Sequence, residues 1–304
     1  QLSVFANYRI LKDEFGAKED EKSLNSRILY NQSIWNGGVS LNTVLSSNNG
    51  VIPRQEFTYV KVDPGQGIYT WNDYNNNGIQ ELDEFEIAQF QDEAEYVRIL
   101  LPNQIFLKIR QNQFSQILTL NPRSWENKEG FKKFLSHFYN QASYILDRKV
   151  QRRNDGFNIN PFEDGGDDQL GLVLNFRNAL FFNRGKQHYT TSYTYIATSS
   201  DNLLSLGLQK NRLESHQLAF NHKIWESWLV NLRSSLGSTE STSENFGSRN
   251  YTIDSYELAP KLSYLLNAQT RFDVFYSYGN KDNQVGDMEA LLQQKGGVSF
   301  GYSN

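Results

Sequence analysis

Apolar and polar residues alternate with a period of two along most of this chain. The even positions from Trp228 to Leu236 are mostly apolar, while the odd positions hold Asn231, Arg233 and Ser235. Side chains of a β-strand point alternately to the two faces of its sheet, so this period indicates strands. About fourteen such segments follow one another along the sequence.

Many of these segments are longer than the strands of ordinary globular proteins. Examples are Leu170–Asn183 and Tyr251–Leu266. Globular strands have about 5–6 residues, whereas tilted membrane-spanning strands need about 9–11. One parity is rich in Leu, Ile, Val, Phe and Tyr, as a lipid-facing wall requires, and the other is polar, as a wet lumen requires. The predicted fold class is all-β: an antiparallel transmembrane β-barrel, as a fragment or most of a barrel, with a polar insertion.

The composition excludes several other classes. The net charge is -4, no cysteine is present and no apolar run reaches the length of a membrane helix. The chain therefore has no disulfide framework and no thiolate chemistry, and it lacks the basic excess of nucleic-acid binders. Aromatic residues make up 14% of a chain that is only 38% hydrophobic. This is a poor composition for an aliphatic core but suits a wall one residue thick.

The connections between segments alternate between tight turns and long polar loops. Tight turns are predicted at residues 36–38, 183–186 and 225–228, and long loops at residues 13–22, 238–250 and 280–294. The link at Asn211-Arg212 breaks this order, so either the strand boundary is misplaced there or one outer loop is short. Outer-membrane barrels have short periplasmic turns and long external loops. We expect residues 1–304 to be the barrel region of a larger protein, with residues 63–95 inserted as an extracellular calcium-binding-like loop.

The insertion contains one motif with specific chemistry. Asp73, Asn75, Asn77, Gly78 and Glu84 match the calcium loop of EF-hands, D-x-[DN]-x-[DN]-G-x5-E. The motif offers side-chain oxygens from one side of a tight turn. A structural Ca²⁺ is therefore the predicted cofactor, because calcium takes six to eight oxygen ligands.

The rest of the loop adds further predicted metal ligands. It also differs from the EF-hand pattern in two ways. The predicted metal ligands are Asp73, Asn75, Asn77, Ile79 through its carbonyl, Glu81 and Glu84. Gln80 replaces the usual branched apolar residue, and the upstream segment is rich in Gly and Pro rather than helical. The downstream residues 82–97 have a spacing that a helix would also give. The alternative is an Asn- and Gly-rich surface turn that holds no ion.

Nothing in the sequence indicates catalysis. No nucleophile elbow, zinc-protease, Walker or dinucleotide motif occurs, so we predict that the chain is not an enzyme. The basic run between Arg148 and Arg153 favours a solvated strand end, with an interfacial cluster as the alternative.

Two stretches carry a resemblance to a known group of proteins. The run YTWNDYNNNGIQELDEFEIAQFQDEAEYVRILLPN at residues 69–103 resembles a segment of large outer-membrane proteins of Bacteroidota, and QKGGVSFGYSN at residues 294–304 is similar to a strand near their C-terminal end. The resemblance implies an outer-membrane β-barrel, in a broad class that includes type 9 secretion translocons and envelope-assembly barrels. It implies no catalytic residues.

The leading hypothesis is therefore a bacterial outer-membrane barrel with a structural, transport or envelope-assembly role and a calcium-binding surface loop. The expected partners are outer-membrane lipid and other envelope proteins, and not nucleic acid. The rival is a soluble secreted β-sandwich, such as a calcium-binding adhesin or a carbohydrate-binding module, since sandwich strands alternate as well.

Overall fold

A computed structural model describes residues 1–11, 21–153, 157–163, 165–186, 188–204, 207–244, 247–267, 269–286 and 288–302. The long strands are β1 (Leu2–Leu11), β2 (Glu21–Ile34), β3 (Val39–Lys61), β6 (Tyr96–Leu120), β7 (Phe138–Gln151), β8 (Gln169–Phe182), β9 (Tyr189–Leu204), β10 (Gly207–Ile224), β11 (Trp228–Ser243), β12 (Tyr251–Leu265), β13 (Thr270–Asn283) and β14 (Ala290–Tyr302). Two short strands, β4 (Tyr69–Trp71) and β5 (Phe85–Ile87), lie between β3 and β6. Helix α1 spans Phe131–Leu135, and 3₁₀ turns occupy Leu82–Glu84, Gln91–Glu93, Pro122–Trp125, Gly166–Asp168 and Gly247–Arg249.

The long strands form one antiparallel sheet, which we call the wall. Each long strand pairs with the long strands before and after it in the chain. The predicted all-β antiparallel fold is confirmed. A two-sheet sandwich is wrong, because the described strands belong to a single sheet. The predicted closure of a barrel is not observed: within the described pairings, β1 pairs with β2 alone and β14 with β13 alone.

The pairing register keeps apolar and polar residues on opposite faces across many strands. One row of directly paired residues runs Leu180, Tyr193, Leu218, Ser234, Leu258 and Tyr278. The adjacent row, on the other face, runs Ala179, Thr194, Gln217, Ser235 and Glu257. A slip of one residue in any pair would mix the faces. The sheet therefore has one apolar face and one polar face.

Much of the apolar face is uncovered in the described part of the chain, although helix α1 and Phe162 lie against parts of it. Leu236 on β11 is 54% exposed and Val274 on β13 is 53% exposed, although neither lies on an edge strand. The buried apolar residues are few, and most of them belong to the insertion after β3 or to the parts of β3 and β6 next to it. No helix among the described residues is long and apolar enough to cross a membrane.

Strands β3 and β6 extend far beyond their outer neighbours. They have 23 and 25 residues, but β2 pairs with β3 only as far as Ser47 and β7 pairs with β6 only as far as Ile109. Residues 48–61 and 96–108 therefore form a two-stranded ribbon that projects past the wall. The ribbon carries the insertion of residues 62–95, which includes β4 and β5.

The connections at the two ends of the sheet differ in length. At one end, which we call the short-connection end, strands are joined through residues 35–38, 183–188, 225–227, 266–269 and, as the exception, 121–137 with helix α1. The ribbon and the connections through residues 152–168, 244–250 and 284–289 lie at the opposite, long-connection end, where β9 and β10 are the exception because only two residues separate them.

Several predicted boundaries change. The strand boundary at Asn211-Arg212 is misplaced, because β10 runs through both residues and Asn211 accepts a hydrogen bond from Ser241 of β11 (2.8 Å). The outer connection before β10 is short as well, since only two residues separate β9 from β10. The loops predicted at residues 238–250 and 280–294 are shorter in the structure, at 244–250 and 284–289. Strands that contain Ser, Thr and Asn residues continue there without apolar alternation. The predicted loop at residues 13–22 lies largely outside the described residues.

Candidate functional site

The motif predicted to bind calcium forms the loop of a small β-hairpin. Trp71 of β4 pairs with Phe85 of β5, and the backbone N–H of Asn72 donates to the carbonyl of Glu84 (2.9 Å). The loop thus begins and ends at paired strands rather than at helices. The helix considered downstream of the motif is not formed, because residues 82–97 make two 3₁₀ turns, β5 and the start of β6.

Side-chain oxygens within the loop accept hydrogen bonds from its own backbone. The Asp73 carboxylate accepts from the N–H groups of Asn77 (3.1 Å) and Gly78 (2.8 Å). The amide oxygen of Asn77 accepts from the N–H of Ile79 (2.6 Å), and that of Asn75 accepts from the N–H of Asn77 (2.9 Å). Gly78 has a φ of 71°, a left-handed conformation that glycine adopts without strain. These bonds curl the chain tightly around Asp73.

The two glutamates of the motif occupy different environments. Glu81 is exposed and accepts a hydrogen bond from the side-chain amide of Asn75 (2.8 Å). Glu84 is only 2% exposed, and its Oε2 accepts from the indole N–H of Trp71 (2.8 Å) and the backbone N–H of Glu81 (3.3 Å). The second oxygen of Glu84, Oε1, is buried and has no hydrogen-bond partner among the described residues.

The structure brings the predicted ligands together only in part. Hydrogen bonds link Asp73, Asn75, Asn77 and Glu81 within one turn, while Glu84 reaches this group through the backbone of Glu81. In the described part of the chain, no three carboxylate, histidine or cysteine side chains group closely enough to hold a metal. Any ion here would depend on the amide oxygens of Asn75 and Asn77 and on backbone carbonyls, which are ordinary calcium ligands.

An aromatic core, which the sequence analysis missed, supports the loop. Buried rings of the ribbon and the insertion pack together: Phe57, Tyr59, Tyr69, Phe85 and Tyr96, with Trp71 partly buried against them. The ring of Tyr59 stacks on that of Phe85 at 4.0 Å between centroids. The side chain of Gln80, the residue that departs from the EF-hand pattern, donates to the Tyr96 hydroxyl (2.8 Å). The i, i+2 spacing of Phe57 with Tyr59 and of Tyr69 with Trp71 was the available signal.

A second surface of functional interest is the apolar face near the short-connection end. Rings in contact there include the pairs Trp35–Trp125, Phe138–Phe182, Trp228–Tyr264 and Phe272–Phe300. Helix α1 lies on the same face, because Phe134 contacts the rings of Phe138 (5.3 Å) and Phe182 (6.3 Å). Aromatic residues thus form a belt at the end of the strands, below the aliphatic part of the wall.

The polar face borders open cavities. One cavity of about 470 Å³ is bordered by Thr194, Gln217, Arg233 and Glu257. Another of about 600 Å³ is bordered by Asn25, Arg27, Ser46 and Gln113. All eight residues belong to the polar parity defined by the strand register. This face is consequently suited to contact with water.

Fold and surface together define an antiparallel β-meander with one apolar face, one polar face and a polar loop held on a projecting ribbon. Two solved structures of OmpT, an outer membrane protein of Vibrio cholerae folded in vitro, are similar to it. The trimer form has a TM-score of 0.37 and 10% identity, with 99% of this chain and 96% of that chain covered. The second has a TM-score of 0.35 and 10% identity, with 99% and 93% covered. At this identity the likeness concerns the fold alone. No protein-family model and no curated protein matches the chain.

The prediction that the chain is not an enzyme is wrong as a conclusion. An antiparallel β-meander is no evidence against catalysis, because one fold hosts many functions. The lack of familiar motifs alone does not classify the chain.

Proposed function

We propose that this chain forms a transmembrane β-barrel wall in a bacterial outer membrane. The observation that carries the proposal is the continuous segregation of the two faces in one pairing register. On β8 the apolar face from Leu172 to Phe182 covers ten residue steps without a charged side chain. That length is about 33 Å at about 3.3 Å per residue. At the usual strand tilt of about 40° it gives a band about 25 Å tall, which matches a bilayer.

The proposed orientation follows from the two ends of the sheet. The short-connection end, with its aromatic belt, faces the periplasm, and the long-connection end faces the outside. The ribbon then carries the insertion of residues 63–95 to the cell surface. The expected partners are outer-membrane lipid and other envelope proteins. A structural, transport or assembly role in an envelope complex fits the resemblance to large outer-membrane barrels of Bacteroidota.

The test of the membrane proposal is the behaviour of the purified chain. We expect it to need detergent and to insert into preformed phospholipid vesicles, with the wall protected from added protease. A chain that stays monomeric and folded in plain buffer would contradict the proposal, because its apolar face would then be stable in water.

We further propose that the loop from Asp73 to Glu84 binds Ca²⁺ and stiffens the insertion. The proposal rests on three features: the turn around Asp73, the left-handed Gly78 and the unpartnered Oε1 of buried Glu84. Few carboxylates converge here, so we expect an affinity in the weak range of extracellular calcium modules, a Kd of about 10⁻⁴–10⁻³ M.

Calcium should therefore stabilise the insertion measurably at millimolar concentration. With a Kd of about 10⁻⁴ M, 10 mM Ca²⁺ would raise the free energy of unfolding by about 2.7 kcal/mol. Hydrogen exchange of residues 69–87 with and without Ca²⁺ measures this gain. Asp73→Asn with Glu84→Gln should abolish it, whereas Asp92→Asn with Glu93→Gln, which removes two acids of the same insertion outside the loop, should not. Equal exchange in wild type with and without Ca²⁺ would leave the loop as a plain turn.

A further inference from the structure

Four arginines meet in a cleft at the long-connection end of the wall. Arg110 of β6 and Arg148 of β7, together with Arg152 and Arg153 just beyond β7, border a cavity of about 220 Å³. Two carboxylates, Glu163 and Asp168, border it as well, so the arginines outnumber the acids four to two. We call this group the arginine cleft. At about 30 Å³ per water molecule, the cavity is large enough for a phosphate group and part of its carrier.

The four guanidinium groups differ in how many hydrogen-bond partners the protein gives them. Arg152 donates to the backbone carbonyl of Lys22 (2.7 Å), and Arg153 forms an ion pair with Asp168 (2.6 Å). In contrast, Nε of Arg110 and both Nε and Nη1 of Arg148 are buried and have no hydrogen-bond partner among the described residues. Buried charged donors without partners are costly, and an anion that accepts from them removes the cost.

The cleft lies directly beside the apolar face. Leu146 and Arg148 point to the same face of β7, two residues apart, and they pair with Phe114 and Asn112 of β6. The face therefore changes from apolar to basic within one repeat of the strand. The connection after β7 continues the apolar surface over this boundary, because Phe162 contacts the rings of Phe114 (5.0 Å) and Tyr144 (6.3 Å).

A basic cleft at the edge of an apolar wall matches a molecule with a phosphate attached to acyl chains. We propose that the arginine cleft binds the phosphate of a phosphorylated glycolipid headgroup in the outer leaflet. Planar guanidinium groups hold phosphate oxygens in pairs, and the acyl chains would lie along the wall below. This inference rests on the proposed membrane orientation, in which the long-connection end reaches the headgroup layer of that leaflet.

The test compares three probes on protein purified in non-ionic detergent. These are diphosphorylated lipid A, the same lipid without its phosphates, and inorganic phosphate, with binding followed by native mass spectrometry and by thermal unfolding. We expect wild type to bind the diphosphorylated lipid at least tenfold more tightly than either other probe. Equal binding of both lipids would overturn the proposal, and so would free phosphate binding as tightly as the lipid.

Matched variants test whether lipid binding depends on the arginine cleft or on positive charge anywhere on the protein. Arg110→Gln with Arg148→Gln should weaken binding of the diphosphorylated lipid at least tenfold, and Arg148→Lys, which keeps the charge but not the fork, should weaken it less. Arg233→Gln removes a charge from the polar face and should leave binding unchanged. Equal losses in Arg233→Gln and the double variant would overturn the assignment.

Vesicle insertion of every variant is measured in parallel. Wild type that inserts but does not distinguish the lipids would refute the cleft alone, whereas wild type that fails to insert would refute the membrane proposal.

Discussion

At the scale of the residue, Tyr59 combines close packing with an unmet polar group. Its ring is stacked on Phe85 in the core of the insertion, and its side chain is 8% exposed. Its hydroxyl is buried and has no hydrogen-bond partner among the described residues. Burial raises the pKa of this phenol above its ordinary value of 10.0, because the charged phenolate is poorly solvated there. Tyr59 lies on the ribbon, beyond the part of the wall assigned to the membrane.

Tyr59→Phe should keep the ring contacts and remove the unmet hydroxyl. We expect the free energy of unfolding of the insertion to stay equal or to rise, by up to about 1–3 kcal/mol. The pKa of the Tyr59 phenol is higher in the folded state than in the unfolded state. The contribution of this pKa difference to the free energy of unfolding is therefore present below the ordinary pKa and is lost as the pH rises through the folded pKa. The variant should therefore resist alkaline unfolding better than wild type. Circular dichroism and hydrogen exchange between pH 8 and 12 test this, and earlier alkaline unfolding of the variant would contradict it.

The local part of the calcium motif was predictable, because its bonds join residues close in sequence. Asp73 binds N–H groups four and five positions away, so spacing alone specifies this turn. The contact between Trp71 and Glu84 was not predictable, because it depends on the pairing of β4 with β5. Burial of Glu84 depends in turn on the aromatic core.

At the scale of the element, backbone hydrogen bonds that need close approach hold the start of the insertion against its end and against the first residue of β6. The N–H of Gly67 donates to the carbonyl of Ala94 (2.8 Å), and that of Ile68 donates to the carbonyl of Tyr96 (2.9 Å). A Cβ at Gly67 would lie 2.6 Å from both the Ala94 carbonyl oxygen and the Tyr96 nitrogen. Both neighbours are backbone atoms, so a side chain at position 67 forces the two segments apart.

Gly67→Ala should therefore loosen the insertion without unfolding the wall. We expect a loss of about 1–3 kcal/mol in local stability, as for an overpacked site. Hydrogen exchange should speed up in residues 65–96 and stay unchanged in β8–β13. Gly247→Ala is the control, because no atom lies within 4 Å of the Cβ it would add. Equal protection in the two variants would show that the approach at Gly67 is not tight.

Element boundaries were predictable where the apolar period is strong and not where polar residues pair. Phe131, Phe134 and Leu135 have helical spacing in the sequence and form α1, and apolar residues alternate from Phe138, where β7 begins. The last residues of β11 and β13 were predicted as loops, because Ser, Thr, Asn and Asp pair there with no apolar alternation to mark a strand. Propensity gives no warning of this, since the pairing is set by neighbouring strands.

At the scale of the whole molecule, the register of the sheet is the property on which the membrane proposal depends. Every long strand contributes to the same two faces, because each pairs with its neighbours in one consistent register. The alternation of each strand was visible in the sequence, but the agreement of parity between strands was not. Closure was expected from the same alternation, which determines faces but not which strands meet.

A lysine on the apolar face should be far more costly than a lysine beside it on the polar face. Leu232 of β11 pairs with Phe220 and Pro260 on the apolar face, and Asn231 pairs with Asn221 and Lys261 on the polar face. We expect Leu232→Lys to reduce the free energy of folding into vesicles by about 2–4 kcal/mol, and Asn231→Lys to change it little. Equal folding of the two variants would contradict a lipid-facing wall.

The ribbon formed by β3 and β6 also determines how far the insertion stands from the wall. Residues 48–61 span about 43 Å along the strand at about 3.3 Å per residue, so in the proposed orientation even a strongly tilted ribbon would hold its tip well above the bilayer surface. The loop from Asp73 to Glu84 would then stand above the lipid sugars that surround the wall. Large soluble molecules could reach it without touching the membrane, so this tip is the part of the protein that a neighbouring cell, a phage or an antibody would meet first.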